Sequence, residues 1–130
     1  MKYLLVFGSR EWTNKQIIEQ HIKDYNPNVV IQGGAKGADL IAKEIAVQNK
    51  IECIEFPADW KNQGKKAGYL RNKEMLDFLL FMQDQGHEIQ AFGFKCGKIS
   101  KGTDMMYGLL VQHSVHGKMV SEVAKSYGVL

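Results

Sequence analysis

Short apolar runs alternate along this chain with longer segments whose apolar residues recur at helical spacing. A strand that leads into a helix and then into another strand is the repeating unit of a parallel sheet with helices packed on its faces. The alternation therefore predicts an α/β fold, a doubly wound sheet of about five mainly parallel strands with helices on both faces. The predicted strands are 2–7, 28–32, 51–56, 88–94 and 118–123, and the predicted helices are 13–25, 37–49, 67–84 and 102–116.

The length and charge of the chain set bounds on its function. Its 130 residues predict a single domain over 1–130, because a chain of that size buries a core of its own. The formal net charge of +3 is compatible with an anionic ligand, whereas a protein dedicated to duplex DNA usually carries a denser basic face. Nucleic acid is therefore not the expected partner.

The cysteines and the N-terminal run indicate the compartment. Cys53 and Cys96 are far apart and form no CxxC motif, as is typical of reduced, intracellular proteins. The apolar run before Gly8 is too short for a signal peptide or a membrane span. We expect a cytoplasmic protein with no membrane partner.

A glycine-rich turn, QGGAKGAD, connects the second predicted strand to the second predicted helix. Gly33 and Gly34 let the backbone approach a ligand closely, and the helix that begins near Gly37 directs free N–H groups toward an anion. Lys36 adds a positive charge at the rim. The GGxxG spacing matches neither the dinucleotide fingerprint nor the Walker loop. A purely structural glycine turn is the alternative.

A second turn, GKISKGTD, follows the fourth predicted strand. Gly102 and Thr103 open the next helix, and Thr103 either caps that helix or donates its hydroxyl to a phosphate. Because the carboxyl ends of parallel strands meet at one edge, both turns and the loops FGSREW and PADWKNQGKKAGYLRN can converge on one crevice. The densest basic segment is either a solvated helix entrance or attracts an anionic ligand, and three further lysines can add to its positive potential. The segment contains Lys61, Lys65, Lys66, Arg71 and Lys73, and the further lysines are Lys95, Lys98 and Lys101.

Four segments, VFGSREW, QGGAKGAD, FPADWKNQGKKAGYLRNKEML and GKISKGTD, occur in an order that resembles the YspA-like branch of the SLOG superfamily. That superfamily is a Rossmann-like group shared with the Lonely Guy phosphoribohydrolases and the DNA-processing protein DprA. The resemblance runs from residue 4 to about 123, and PADW followed by AGYLRN is its most specific part. It implies a Rossmann-like sheet with a pocket for a nucleotide or a nucleotide-derived ligand.

The resemblance also implies which residues form the pocket, each by its position in one of the four segments. They are Gly8, Ser9 and Arg10; Gly33, Gly34, Gly37 and Asp39; Asp59, Trp60, Gly68, Arg71 and Asn72; and Gly102 and Thr103.

The chemistry of three of these residues suits such a ligand. Arg71 offers a planar fork for a phosphate or carboxylate. Trp60 either stacks on a base or folds back onto the protein. Asp39 either accepts ribose hydroxyls or only complements the dipole of its helix.

One departure from the related enzymes bears on catalysis. Lonely Guy enzymes carry a GTxxE segment whose glutamate takes part in cleaving the N-glycosidic bond, and Met106 stands at that position here. Methionine cannot act as an acid, a base or a stabiliser of an oxocarbenium-like centre. Asp104 lies two residues earlier, on a different face of the helix. The remaining candidate catalytic residues are Asp59, Asp39 and Arg71.

Three functions remain open at this point. The first is a protein that senses or sequesters a nucleotide-derived small molecule, and the second is a hydrolase that cleaves a nucleotide or its ribosyl bond. The third is a single-stranded nucleic-acid binder of the DprA kind. No cofactor and no metal are expected, because His113 and His116 stand at helical spacing without further ligands nearby. The apolar helix 67–84 makes a homodimer a further expectation.

Overall fold

The sheet has five parallel strands, as predicted. The computed structural model describes residues 1–122, so Val123, the last residue of the predicted fifth strand, lies outside the described residues. The strands lie side by side in the order β3-β2-β1-β4-β5. Their bounds are β1 Lys2–Gly8, β2 Val29–Gln32, β3 Glu52–Glu55, β4 Glu88–Cys96 and β5 Gly117–Glu122.

Five α-helices connect or follow these strands within the described residues. The first helix has a cap at each end: Asn14 accepts from Ile17 N before it, and Asn26 takes a left-handed φ of 56° after it. No helix in residues 1–122 is long and apolar enough to cross a membrane. The bounds are α1 Lys15–Tyr25, α2 Ala38–Gln48, α3 Trp60–Gln63, α4 Ala67–Asp84 and α5 Lys101–Gln112.

Two details of the helices differ from the sequence analysis. Helix α3 and the 3-10 turn Gly64–Lys66 replace the polar loop expected before residue 67. Neither element buries a side chain, so the sequence shows no apolar periodicity that would have predicted them. Helix α5 ends at Gln112 and not at 116, since Ser114 takes a left-handed φ of 57°.

Strand β1 separates two apolar cores. Leu4 and Val6 pack with α1 and α2 on one face of the sheet, and Leu5 and Phe7 pack with α4 and α5 on the other. The five central residues of the strand are all buried, which explains its continuous apolar run. Burying each such side chain contributes about 1.5–3 kcal/mol relative to exposure. Helices on both faces confirm the doubly wound fold.

The strand order reverses between β1 and β4. From β1 the chain proceeds to β2 and β3 on one side, and it later returns through β4 to β5 on the other. The loops that follow β1 and β4 therefore diverge and leave a crevice at the carboxyl ends of these two strands.

The loops after β1 and β2 touch one another at Gly37. This residue has a φ of +90°, and a Cβ atom there would overlap the carbonyl groups of Ser9 and Arg10. Ala38 N also donates to Ser9 O at 3.3 Å. Gly37 is therefore required by contact between two loops of the protein.

We predict that Gly37→Ala destabilises the fold much more than Gly86→Ala does. Gly86 has nearly the same φ, +92°, but nothing lies within 4 Å of its Cβ position. The control should cost about 1–2 kcal/mol from backbone strain alone. Gly37→Ala should cost at least about 2 kcal/mol more through steric overlap. Urea unfolding measures both, and equal losses would show that the loops do not touch at Gly37.

Candidate functional site

A cavity of about 820 Å³ opens at the crevice between the loops after β1 and β4. The loop after β1, the start of α2 and the segment from α3 to α4 line it together with the start of α5. Most of the residues predicted for the ligand pocket therefore lie together. Those that line this cavity are Gly8, Ser9, Arg10, Asp39, Trp60, Gly68, Arg71, Asn72, Gly102 and Thr103.

A smaller cavity of about 360 Å³ adjoins the first. Gly33, Gly34 and Lys36 line it, and Arg10, Ala35, Trp60 and Arg71 line both cavities. Two predicted residues line neither cavity. One is Gly37, which packs against the loop after β1. The other is Asp59, whose carboxylate caps α3 by accepting from Asn62 N at 3.2 Å.

Asp39 is the buried acid of the glycine-rich turn. Its side chain is almost fully buried, and Oδ2 accepts from the backbone N–H groups of Gly33 and Ala35, both at 3.2 Å. Burial raises the pKa of this carboxyl to about 6, although the two amides and the Arg71 charge act in the opposite direction. One carboxylate oxygen of Asp39 is thus hydrogen-bonded to the backbone of the turn.

The amides of the turn are occupied by side chains of the protein. Gly34 N donates to Gln32 Oε1 at 2.5 Å, and the two flanking amides bind Asp39. A Cβ at Gly33 would collide with the Arg71 guanidinium, and a Cβ at Gly34 would lie 2.9 Å from the Glu55 carboxylate. Contacts within the protein therefore account for both glycines. The amides of Gly33, Gly34 and Ala35 are therefore not free to bind an anion.

Two arginines stand on the wall between the cavities. The half-buried guanidinium of Arg71 donates to Gly33 O and, through Nε, to Asn72 Oδ1 at 2.9 Å. Burial and the nearby Arg10 charge lower the pKa of Arg71, whereas Asp39 raises it. Within residues 1–122, no carboxylate oxygen lies within 4.0 Å of either guanidinium. The wall thus carries two like charges without an ion-pair partner.

A chain of hydroxyl groups joins the loops after β1 and β4. Ser9 Oγ accepts from Cys96 N at 3.1 Å and donates to Ser100 Oγ at 2.9 Å, which donates to Thr103 Oγ1 at 2.7 Å. All four residues line the larger cavity. The hydroxyls are polar groups that a bound molecule can reach. Ser100 is the member that the sequence analysis missed, because only the folded sheet brings it to Ser9.

Asp104 fixes the start of α5. Its carboxylate pairs with Lys95 Nζ at 2.8 Å and accepts from Ser100 N at 3.4 Å. An acid in the first turn also complements the helix dipole. Lys95 is therefore held in an ion pair, while Lys65 and Lys101 are the lysines that line the larger cavity.

Large apolar side chains surround the mouth of the larger cavity. Trp60, Tyr69 and Ile99 line it and are 51%, 45% and 79% exposed. Tyr69 lies in AGYLRN and Ile99 in GKISKGTD, but neither was predicted as a site residue, because the motifs do not show which of their side chains line the cavity. Exposed aromatic rings at a cavity mouth are suited to stacking on a planar ligand group.

Met106 lies at the inner end of the cavity and is buried in the core on α5. Met75 and Met105 also line the cavity, so this end is apolar. No group of three His, Cys, Asp or Glu residues in the described part of the chain is placed to hold a metal ion. His113 follows the last residue of α5, and His116 lies beyond the helix.

Known proteins are similar to part of the chain that forms this site. A model of the YspA, cpYpsA-related SLOG family matches residues 3–63, which contain β1 through α3. The Gene 61 protein of Mycobacterium phage D29 is 39% identical over 87 residues, which cover 58% of this chain and 69% of that protein. The match to the family model includes Arg10 and Asp39 but ends before Arg71 and Gly102.

Among solved structures, DNA processing protein A (DprA) from Streptococcus pneumoniae is similar to this chain. The TM-score is 0.45 and the identity 18%, over 92% of this chain and 58% of that one. This chain thus spans less than two thirds of the length of DprA. At that score the similarity carries no functional argument.

We predict that Asp39→Asn removes a pH-dependent loss of stability. The folded-state pKa of about 6 lies above the ordinary value of 3.8, so the folded protein holds this proton more tightly than the unfolded chain. The protonated carboxyl stabilises the folded state fully below about pH 4, and this stabilisation is lost as the pH rises through about 6. The total loss in the free energy of unfolding is on the order of 3 kcal/mol.

Asparagine keeps an acceptor for the two amides but does not titrate in this range. The free energy of unfolding of Asp39→Asn relative to the parent should therefore increase between pH 4 and pH 7. Urea unfolding at a series of pH values measures this difference. A difference that stays constant over that range would show that Asp39 is not a buried, titrating acid.

Proposed function

This chain belongs to the YspA, cpYpsA-related SLOG family, and we propose that it binds a nucleotide or a nucleotide-derived molecule at the strand-order reversal. The observation that carries this proposal is the wall of Arg10 and Arg71, where two guanidinium groups face the cavities without a carboxylate within ion-pair distance among residues 1–122. A phosphate between them would relieve their mutual repulsion. It would also form the charge-assisted hydrogen bonds that guanidinium forks favour.

The size and lining of the larger cavity support a ligand of nucleotide size. Its volume of about 820 Å³ is within the range of small-molecule sites. Among residues 1–122, four cationic and two acidic side chains line it. The cations are Arg10, Lys65, Arg71 and Lys101, and the acids are Glu11 and Asp39. Trp60 and Tyr69 at the mouth are placed to stack on a base. The ligand we propose thus has an anionic end and a planar end.

The start of α5 supports a phosphate at the same cavity. Gly102 lines the cavity, yet nothing lies within 4 Å of its Cβ position, and its φ is not in the left-handed region. Glycine costs about 1 kcal/mol relative to alanine in a helix, and no contact within the described residues requires it here. The open space beside Gly102 leaves room for a ligand to approach the first turn of the helix closely.

Binding is better supported than hydrolysis. Met106 offers no ionisable group at the position of the Lonely Guy glutamate. Of the other candidates, Asp59 caps α3 outside the cavity, and Asp39 has one oxygen bound by two amides. Arg71 is a cation that binds and orients an anion, and it does not supply a base. We therefore propose that the protein senses or sequesters its ligand.

We predict that Gly102→Ala weakens nucleotide binding and that Gly108→Ala does not. Both glycines lie on α5 with no atom within 4 Å of their Cβ positions, but only Gly102 lines the cavity. Both variants should be more stable than the parent by roughly 0.5–1 kcal/mol, since alanine favours the helix. Calorimetric titration with the 5′-diphosphates of adenosine, guanosine, cytidine and uridine measures the affinities.

The expected result is about a tenfold or greater loss of affinity in Gly102→Ala for the nucleotide that the parent binds, with Gly108→Ala unchanged. If Gly102→Ala binds that nucleotide as the parent does, the phosphate does not lie at the start of α5. If the parent binds none of the four diphosphates, the proposed function is contradicted.

A further inference from the structure

The two cavities differ in the charges that line them. The smaller one is lined by three cationic side chains, Arg10, Lys36 and Arg71, and by no acidic residue of the described chain. Its other lining residues are small or apolar: Gly33, Gly34, Ala35, Pro57, Ala58 and Trp60. The larger cavity, in contrast, is lined by Glu11 and Asp39 and by the hydroxyl groups of Ser9, Ser100 and Thr103. The smaller cavity is therefore suited to an anion, and the larger one to a polar, partly planar group.

From this difference we propose that the ligand carries at least two linked anionic groups. The first lies at the wall of Arg10 and Arg71, and the second lies in the smaller cavity beside Lys36. The ligand is then a nucleoside diphosphate or a longer phosphate ester, and a monophosphate would leave the smaller cavity empty. This inference rests on the proposed function, because it places the nucleoside in the larger cavity.

The shared wall determines the path of the phosphates. Arg10 and Arg71 line both cavities, so an anion between them is in contact with each side. A group attached to that anion can extend into either cavity. The nucleoside extends toward Trp60 and Tyr69 at the mouth of the larger cavity, and the next phosphate extends toward Lys36.

Two acids lie close to the smaller cavity, and other groups of the protein bind both. Asp39 accepts from two backbone amides of the glycine-rich turn. The Glu55 carboxylate approaches the Cβ position of Gly34. It pairs with Lys43 Nζ at 3.2 Å and accepts from Gln32 Nε2 at 3.1 Å, and these contacts hold the pKa of Glu55 below its usual value. Glu55 therefore does not offset the cations that line the cavity.

The size of the smaller cavity also favours a phosphate over a second base. Its volume of about 360 Å³ lies at the low end of small-molecule sites. Among residues 1–122, the one aromatic ring in its lining is that of Trp60, which it shares with the larger cavity. A compact anion fits this lining better than a further planar group.

The test compares affinities for the 5′-mono-, di- and triphosphates of adenosine, guanosine, cytidine and uridine at constant ionic strength. Two single lysine variants of the full chain serve as a matched pair. Lys36 lines only the smaller cavity and Lys65 only the larger one, and both are exposed, so neither substitution should disturb the fold. Calorimetric titration measures each dissociation constant in the parent, in Lys36→Ala and in Lys65→Ala.

For the preferred base, we expect the diphosphate to bind about tenfold or more tightly than the monophosphate. Lys36→Ala should reduce that ratio to about threefold or less, and Lys65→Ala should weaken both ligands alike and preserve the ratio. If mono- and diphosphates bind the parent equally, or if both variants change the ratio alike, the two-anion inference is wrong while the proposed function stands. Failure of all twelve nucleotides to bind would contradict both.

Discussion

Ser9 joins the chain segments that meet at the strand-order reversal. Its backbone N–H donates to Phe94 O on β4 at 2.9 Å, and its carbonyl accepts from Trp12 N at 3.2 Å and Ala38 N at 3.3 Å. Its hydroxyl binds Cys96 N and Ser100 Oγ. These bonds connect the end of β1 to β4, to the start of α2 and to the loop before α5. They hold the loops after β1, β2 and β4 in fixed positions around the cavity.

The charges of the site follow from this arrangement. A buried carboxylate and a half-buried guanidinium are each costly to remove from water. Asp39 recovers part of that cost from two amides, and Arg71 from the carbonyl of Gly33 and the side chain of Asn72. The repulsion between Arg71 and Arg10 is not balanced by an ion pair in the described residues. Under the proposed function, an anionic ligand would supply that balance and would stabilise the folded protein on binding.

Local sequence signals predicted the fold, because each depends on neighbouring residues. The apolar run of β1 indicated a strand, and the helical spacing over 13–25 located α1, which begins two residues later and ends at the predicted residue. The segment 60–66 was missed, since α3 is stabilised by the capping contact of Asp59 and not by an apolar face. The glycine spacing located the turn after β2 correctly. Its amides bind Gln32 and Asp39, which lie close by in sequence. Glu55 and Arg71, which occupy the space beside the glycines, come from distant segments, and local patterns do not predict such contacts. Ser100 and Tyr69 became part of the site for the same reason.

We propose that an anion anchors the ligand beside Trp60, and tryptophan fluorescence tests this most directly. The chain has two tryptophans, of which Trp12 is buried and Trp60 lies at the mouth of the cavity. Titration with a nucleoside diphosphate of the base that binds should produce a saturable change in emission that is absent in Trp60→Phe. The same nucleoside without phosphate should produce no saturable change over that concentration range. Saturation by the bare nucleoside at equal concentrations, or a change that persists in Trp60→Phe, would contradict the account.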